Sequence, residues 1–203
     1  MQRAFDQFKN SIKYVKELDV LYNYLKNDLH LPDDLTDFLL RAEWIYAVSA
    51  MDKLIHELVR IGMIEAFQGR RIRTGKFLSF GVTAKTLTSS LSAAEPPPEY
   101  WFEQEVIEKH KTLSFQTPEK IAEALSLIWD EPHKWQRLAA SAGTTQADLT
   151  AQLKVIISRR NQMVHEADLD LLSGIRNSID KAGIDEVVPF IEKLSEKIFR
   201  ACS

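Results

Sequence analysis

Apolar residues recur at three- and four-residue steps almost from the start of the chain. Phe5, Phe8, Ile12, Val15, Leu18 (or Asp19), Tyr22 and Leu25 fall on one helical face. This predicts a first helix over Ala4 to Leu29, broken by Leu31-Pro32. Asp33 or Asp34 can cap a second helix, because a short carboxylate accepts from the free N–H groups of a first turn. That helix carries Leu39, Leu40, Trp44, Val48, Met51, Ile55, Leu58 and Ile61, and is expected to stop or fray near Gly62. Its length makes it a main core element.

The pattern lapses over residues 69–98, which read as an irregular insertion, hairpin-like or mobile. Shorter helices follow: Tyr100 to Lys111, Pro118 to Trp129, and Pro132 to Ala140. Thr117-Pro118 has the form of an N-cap followed by proline at the first helical position. Thr145 and Asp148 can cap a helix whose apolar stripe is Leu149, Leu153, Ile156 and Ile157. After a connector beyond Asp170, Asp185 is expected to cap a closing amphipathic helix through Val188, Ile191, Leu194 and Ile198. The fold class is therefore all-α, one domain over 1–203.

One residue disturbs this order. The stripe through Leu149, Leu153 and Ile156 next meets Arg160, and resumes at Met163 and Val164. A buried guanidinium without a partner is costly. Either the stripe emerges into a cleft there or something anionic meets the arginine.

Composition narrows the options. Of 203 residues 45% are hydrophobic, and only seven are glycine, which fits a helical protein with a sizeable core. The net charge of −3 argues against a surface that coats nucleic acid nonspecifically, though not against a local basic site. A single cysteine, Cys202, excludes a disulfide framework and a cysteine-rich zinc site. The start, MQRAFDQFKN, has no signal-peptide apolar core, and no apolar run is long enough to span a membrane. A reducing cytoplasm is the expected setting.

Arg160, Asn161 and His165 lie within six residues. A guanidinium fork binds phosphate bidentately, a histidine moves protons near neutrality, and an amide can orient either. Together they suit phosphodiester chemistry. Asn161 and His165 share a helix face, but Arg160 and His165 stand about 140° apart on an ideal helix. They converge if the helix bends near Met163, if Arg160 reaches round, or if a second copy supplies the partner. The competing reading is a charge cluster complementing a helix dipole. In the second helix, Ser49, Asp52, His56 and Arg60 form a polar stripe. Asp52 could neutralise Arg160 or orient a histidine; an ordinary solvated flank is the alternative. Arg70, Arg71, Arg73 and Lys76 are candidate contacts to a nucleic-acid backbone, or a solvated loop. His30, His110 and His133 have no ligand-like spacing, so no metal and no cofactor is expected. Trp101, Trp129 and Trp135 read as core.

RRNQMVHEAD resembles the Arg-x4-6-His signature of the HEPN superfamily, in the form with a polar residue directly after the arginine. SAMDKLIHELV, residues 49–59, resembles the preceding helix of the RiboL-PSP-HEPN branch, and the order of elements fits as well. The resemblance implies an all-α bundle of about four core helices that dimerises. It also implies metal-independent endoribonuclease activity in many members, often as toxins or antiviral effectors, with an antitoxin or a sensor as a further partner. By position, Arg160 and His165 would be the signature pair and Asn161 the polar neighbour; Asp52, with His56 beside it, is a looser transfer. Members controlled by nucleotidylation carry a tyrosine two residues after the histidine, where this chain has Ala167. Other members only bind RNA, nucleotides or partner proteins, and that non-catalytic role is the alternative. Metal-free RNA cleavage needs a base, an acid and a stabiliser of phosphorane charge. One motif supplies one histidine and two supply two, which is a physical reason to expect a homodimer with the site at its interface.

Overall fold

The computed structural model describes residues 1–92, 95–170 and 172–203. Helix α1 spans Gln2–Asn23 and runs on through a π-helical turn, Tyr24–Asp28, before Pro32 opens helix α2, Asp33–Phe67. Two short helices follow, α3 (Gly75–Leu78) and α4 (Ala84–Ser92). Then come α5 (Pro98–His110), α6 (Pro118–Leu125), α7 (Lys134–Ala142), α8 (Gln146–His165) and α9 (Lys181–Cys202). Among the described residues there is no strand; an isolated antiparallel bridge joins Leu169 and Arg176. The chain is all-α, as the sequence predicts.

Helix α2 is the axis of the bundle. It packs against α1, α5, α6, α8 and α9. Its 35 residues extend about 52 Å at helical rise. Leu40, Met51, Ile55, Leu58 and Val59 are sealed from solvent on several of its faces at once. The expected stop at Gly62 does not occur. A Cβ there would lie 2.6 Å from Ile128 Cγ2, so the glycine admits the turn after α6 against the helix instead of ending it. The helix stops at Phe67. Arg73 donates from Nε to the carbonyl of Ala66 (3.0 Å) and from a terminal nitrogen to that of Phe67 (3.1 Å), satisfying two of the orphaned last carbonyls.

The insertion over 69–98 is partly helical, since it contains α3 and α4. Thr74, 3% exposed, caps α3 by accepting from the Phe77 N–H and donates to the carbonyl of Ser126 at 2.8 Å. The buried Glu105 carboxylate accepts the Thr83 N–H and hydroxyl (3.2 and 2.8 Å) and so holds the start of α4 against α5. Cooperation between caps and core sets the other boundaries. Thr117 caps α6 and Thr145 caps α8. Asp180, not Asp185, caps α9 by accepting the Gly183 N–H at 2.8 Å. Asp185 lies one turn inside α9, paired with Lys181.

Trp135 is buried and donates to the carbonyl of Pro118 (2.9 Å); Trp101 and Trp129 are half-buried. Glu43 of α2 is an outlier in this core. It is 1% exposed, its Oε1 has no hydrogen-bond partner among the described residues, and burial, with Asp19 nearby, pushes its pKa up to about 8.

Candidate functional site

The stripe of α8 buries as its spacing predicts, through Leu149, Leu153, Ile156, Ile157 and Met163, while Val164 stays exposed. Between these, Arg160 is half-buried. One of its terminal nitrogens donates to Asn161 Oδ1 at 3.2 Å, and its Nε is sealed from solvent without a partner. It makes no ion pair among the described residues. Asn161 and His165 are exposed. The helix is unbroken through His165. The bend near Met163 that would swing Arg160 and His165 together is therefore absent, and the two side chains leave α8 about 140° apart. The candidate site is an exposed helix end, not a closed cavity.

Directly after the histidine the chain reverses. Ala167 and Asp168 adopt φ of 51° and 60°, in the left-handed region that few non-glycine residues enter. This returns the Asp168 side chain beneath the end of α8, where it is 1% exposed. Its carboxylate receives Arg41 Nε of α2 at 2.7 Å and a terminal nitrogen of Arg159 at 3.1 Å, and a second nitrogen of Arg159 contacts its other oxygen. Both arginines go on to backbone carbonyls of the connector, Arg41 to Asn177 (2.7 Å) and Arg159 to Ser178 (2.9 Å). Asn177 donates back to the Asp168 carbonyl. Trp44 Nε1 donates to the Ile156 carbonyl and fixes α2 against α8 at the same level. Two guanidiniums thus share one carboxylate, with Asp37 more distant at 3.8 Å from Arg41, and Arg160, next in the chain, pairs with no carboxylate among the described residues.

Sequence reasoning misses Arg41, Arg159 and Asp168. Arg159 is masked by its neighbour, since both arginines precede His165 at spacings the signature admits. Asp168 carries no signal, because its burial depends on the reversal at Ala167.

The structure does not bring Asp52 and His56 to the motif. Arg41 marks the level of the motif on α2, and Asp52 lies about 16 Å further along the helix. Asp52 instead accepts the Phe115 N–H at 2.6 Å and Gln116 Nε2 at 3.0 Å, anchoring the loop before α6. His56 Nε2 stands 3.2 Å from the Leu113 carbonyl and 3.7 Å from Asp52 Oδ1, with its ring against Phe115. The basic stretch is more remote still, since Glu65 is about 36 Å from Arg41 along α2. There Arg71 pairs with Glu65 and reaches the Ile128 carbonyl, Arg73 caps α2, Arg70 meets Gln68, and Lys76 pairs with Glu123 at 3.3 Å.

Among the described residues no group of three or more His, Cys, Asp or Glu side chains is placed to hold a metal ion, and no helix is long and apolar enough to cross a membrane. Neither the curated proteins nor the solved structures include a match to this chain. A family model does match: RiboL-PSP-HEPN, over residues 9–203. That match takes in every helix from α2 onward and most of α1, so the chain belongs to the RiboL-PSP-HEPN family.

Proposed function

We propose that the protein is a metal-independent endoribonuclease of the HEPN type, acting as a toxin or antiviral effector, with its site completed by a second copy of the chain. The observation that carries this reading is Arg160: a half-buried guanidinium, its Nε sealed and unpartnered, beside a cluster in which two further arginines share one carboxylate. A phosphate is the anion whose geometry such a fork fits. His165, exposed one turn beyond, supplies the titratable group, and Asn161 orients the arginine.

The unbroken helix shapes the mechanism. Within one chain, Arg160 and His165 diverge, so the arginine of one protomer and the histidine of its partner are the better pair. Two motifs across a twofold axis give two histidines. One removes the 2′-hydroxyl proton as the O2′–P bond forms. The other protonates the 5′-oxygen as the P–O5′ bond breaks. The arginines stabilise charge on the phosphorane. The products are a 2′,3′-cyclic phosphate and a 5′-hydroxyl, and an antitoxin or sensor would act by covering this helix end. Of the basic residues, Arg70 and Lys76 are the freest to touch RNA backbone, on a stretch distant from the cleaved bond.

The test is incubation of wild type, Arg160→Ala and His165→Ala with total RNA and tRNA in EDTA, with melting curves to establish that the variants fold. Cyclic-phosphate ends from wild type alone are expected. Cleavage persisting in both folded variants overturns the assignment. A second reading, a non-catalytic module that binds RNA, nucleotide or a partner protein, draws on the exposure of His165, whose side chain makes no hydrogen bond among the described residues. It predicts RNA retention without turnover, lost in Arg160→Ala.

A further inference from the structure

A second feature lies far from the motif helix, where the 69–98 insertion meets the α5–α6 loop. A pocket of about 320 Å³ opens there between Phe80 of the insertion, His110 at the end of α5, Leu113 and Phe115 of the loop, and Ala124 and Leu127 in and after α6. Its lining is mainly apolar. Three groups at or near its mouth are charged: Lys76 and Glu123, paired with each other, and Lys120, exposed at the first turn of α6 and with no ion pair among the described residues. Ligand sites are commonly concave, apolar and of at least this size, with a few polar groups that fix orientation.

His110 is what distinguishes this pocket from a packing gap. It is 8% exposed, yet its ring makes no hydrogen bond among the described residues. Neither ring nitrogen is among the sealed, unpartnered atoms of the described residues, so each keeps a path to solvent and can meet a ligand that comes from outside. The imidazole stands edge-on to Phe80 (centroids 6.0 Å apart, 72° between planes) and to Phe115 (5.5 Å, 82°), so these two rings flank it without using its nitrogens. Burial, with His56 and Lys109 nearby, holds its pKa below the ordinary histidine range. It therefore offers a neutral N–H donor near pH 7 rather than a fixed charge.

The surroundings are built, not slack. The Phe80 wall is set by Thr74, which is buried and bonded to the end of α6, and by Phe102, whose ring meets Phe80 edge-on. The Phe115 wall is set by Asp52, which fixes the Phe115 N–H, and by the His56 ring packed behind it. Asp52 and His56 thereby shape the back of the pocket, about 16 and 22 Å along α2 from the level of Arg41.

We propose that this pocket binds a small planar aromatic carboxylate, the ring packed against Phe80 and Phe115 on the pocket side of the imidazole and the carboxylate received by the His110 N–H and Lys120. Aromatic walls favour a flat ring, which they meet face-on or edge-on. A lone cation at the rim and a donor at depth favour one acceptor group of negative charge. The inference is independent of the ribonuclease reading.

The experiment is titration of the ¹⁵N-labelled full chain with indole-3-carboxylate and with indole-3-carboxamide, followed by amide shifts. Indole-3-carboxylate should shift the amides of His110 and residues 113–115 in a saturable way. The carboxamide, and the carboxylate against Lys120→Glu, should bind about tenfold more weakly, the scale of one lost charge-assisted hydrogen bond. Lys120 is exposed, so that variant leaves the core untouched. Three results overturn the proposal: no shift up to the solubility limit, equal binding of acid and amide, or shifts confined to a second pocket, which lies between α1 and α2 and is lined by Tyr14, Leu18, Tyr46 and Ala50.

Discussion

Replacing Asp168 by asparagine isolates the charge at the centre of the three-residue cluster. Asparagine is nearly isosteric and tolerates the left-handed φ of 60°, so the reversal after α8 is retained. What disappears is the negative charge that two guanidiniums share in a place 1% exposed. Removing one partner of a buried ion pair costs about 3–5 kcal/mol, because the remaining charge stays buried without compensation. Here the lower end applies. Arg41 keeps the Asn177 carbonyl and the more distant Asp37, and Arg159 keeps the Ser178 carbonyl. A loss of about 3 kcal/mol corresponds to a drop in Tm of about 6–12 °C for a domain of this size. Thermal melting by circular dichroism and urea unfolding should both report it. A companion Arg159→Gln Asp168→Asn variant should lose less than the sum of the single changes, since each removes part of the same interaction. A loss below about 1 kcal/mol, or strict additivity, would refute the account of Asp168 as the anchor of both arginines.

Other outcomes follow from individual contacts. Glu43, with its pKa raised to about 8, stays protonated in the native state while the unfolded chain ionises near the ordinary glutamate value. The unfolded state then binds fewer protons, so stability falls as pH rises between that value and about 8 and levels off above. Urea unfolding at pH 5 and pH 8 should show this, and Glu43→Gln should flatten the slope while stabilising the protein at pH 8. Gly62→Ala should cost about 1–3 kcal/mol by overpacking against Ile128, despite the better helix propensity of alanine, and Ile128→Leu, which removes the branch methyl that the new Cβ meets, should recover part of it in the same melting assay. Arg73→Ala should lower Tm by uncovering the last carbonyls of α2, with no change in the salt dependence of RNA binding; a weaker salt dependence would show that the residue contacts phosphate.

The helices legible in the sequence are those whose apolar period and cap lie in one continuous stretch. The Leu149–Met163 stripe, Thr117-Pro118 and the Thr145 cap are such cases, and each carries its own local warrant. Sequence reading fails where a distant partner decides. Gly62 looks like a stop until Ile128 is placed against it. Asp180 outcompetes Asp185 as a cap because Lys181, committed to Asp19 of α1 as well as to Asp185, fixes where α9 begins. Residues 69–98 lack periodicity because α3 and α4 are short, bury no residue fully, and are held by Thr74, Glu105 and single aromatic contacts such as Phe77 against Phe102. At the candidate site, Arg160, Asn161 and His165 are visible as a local cluster. A link from Asp52 to that cluster is not sound, because helix periodicity says which face a residue occupies but not how far along a 35-residue axis its partner lies.

The consecutive left-handed residues Ala167 and Asp168 also constrain how this chain can vary over time. Position 167 needs a residue that accepts positive φ, so glycine and asparagine are open to it and β-branched residues are disfavoured. Position 168 needs the same backbone and a short carboxylate together, which leaves aspartate with almost no substitute. A one-residue insertion or deletion between His165 and Asp168 would misplace the carboxylate beneath the helix and release both arginines. In a saturation-mutagenesis map scored for folding, this short reversal should stand out as a narrow intolerant band between the exposed residues at the end of α8, Val164 to Glu166, and a connector whose residues from Ser173 to Arg176 are exposed.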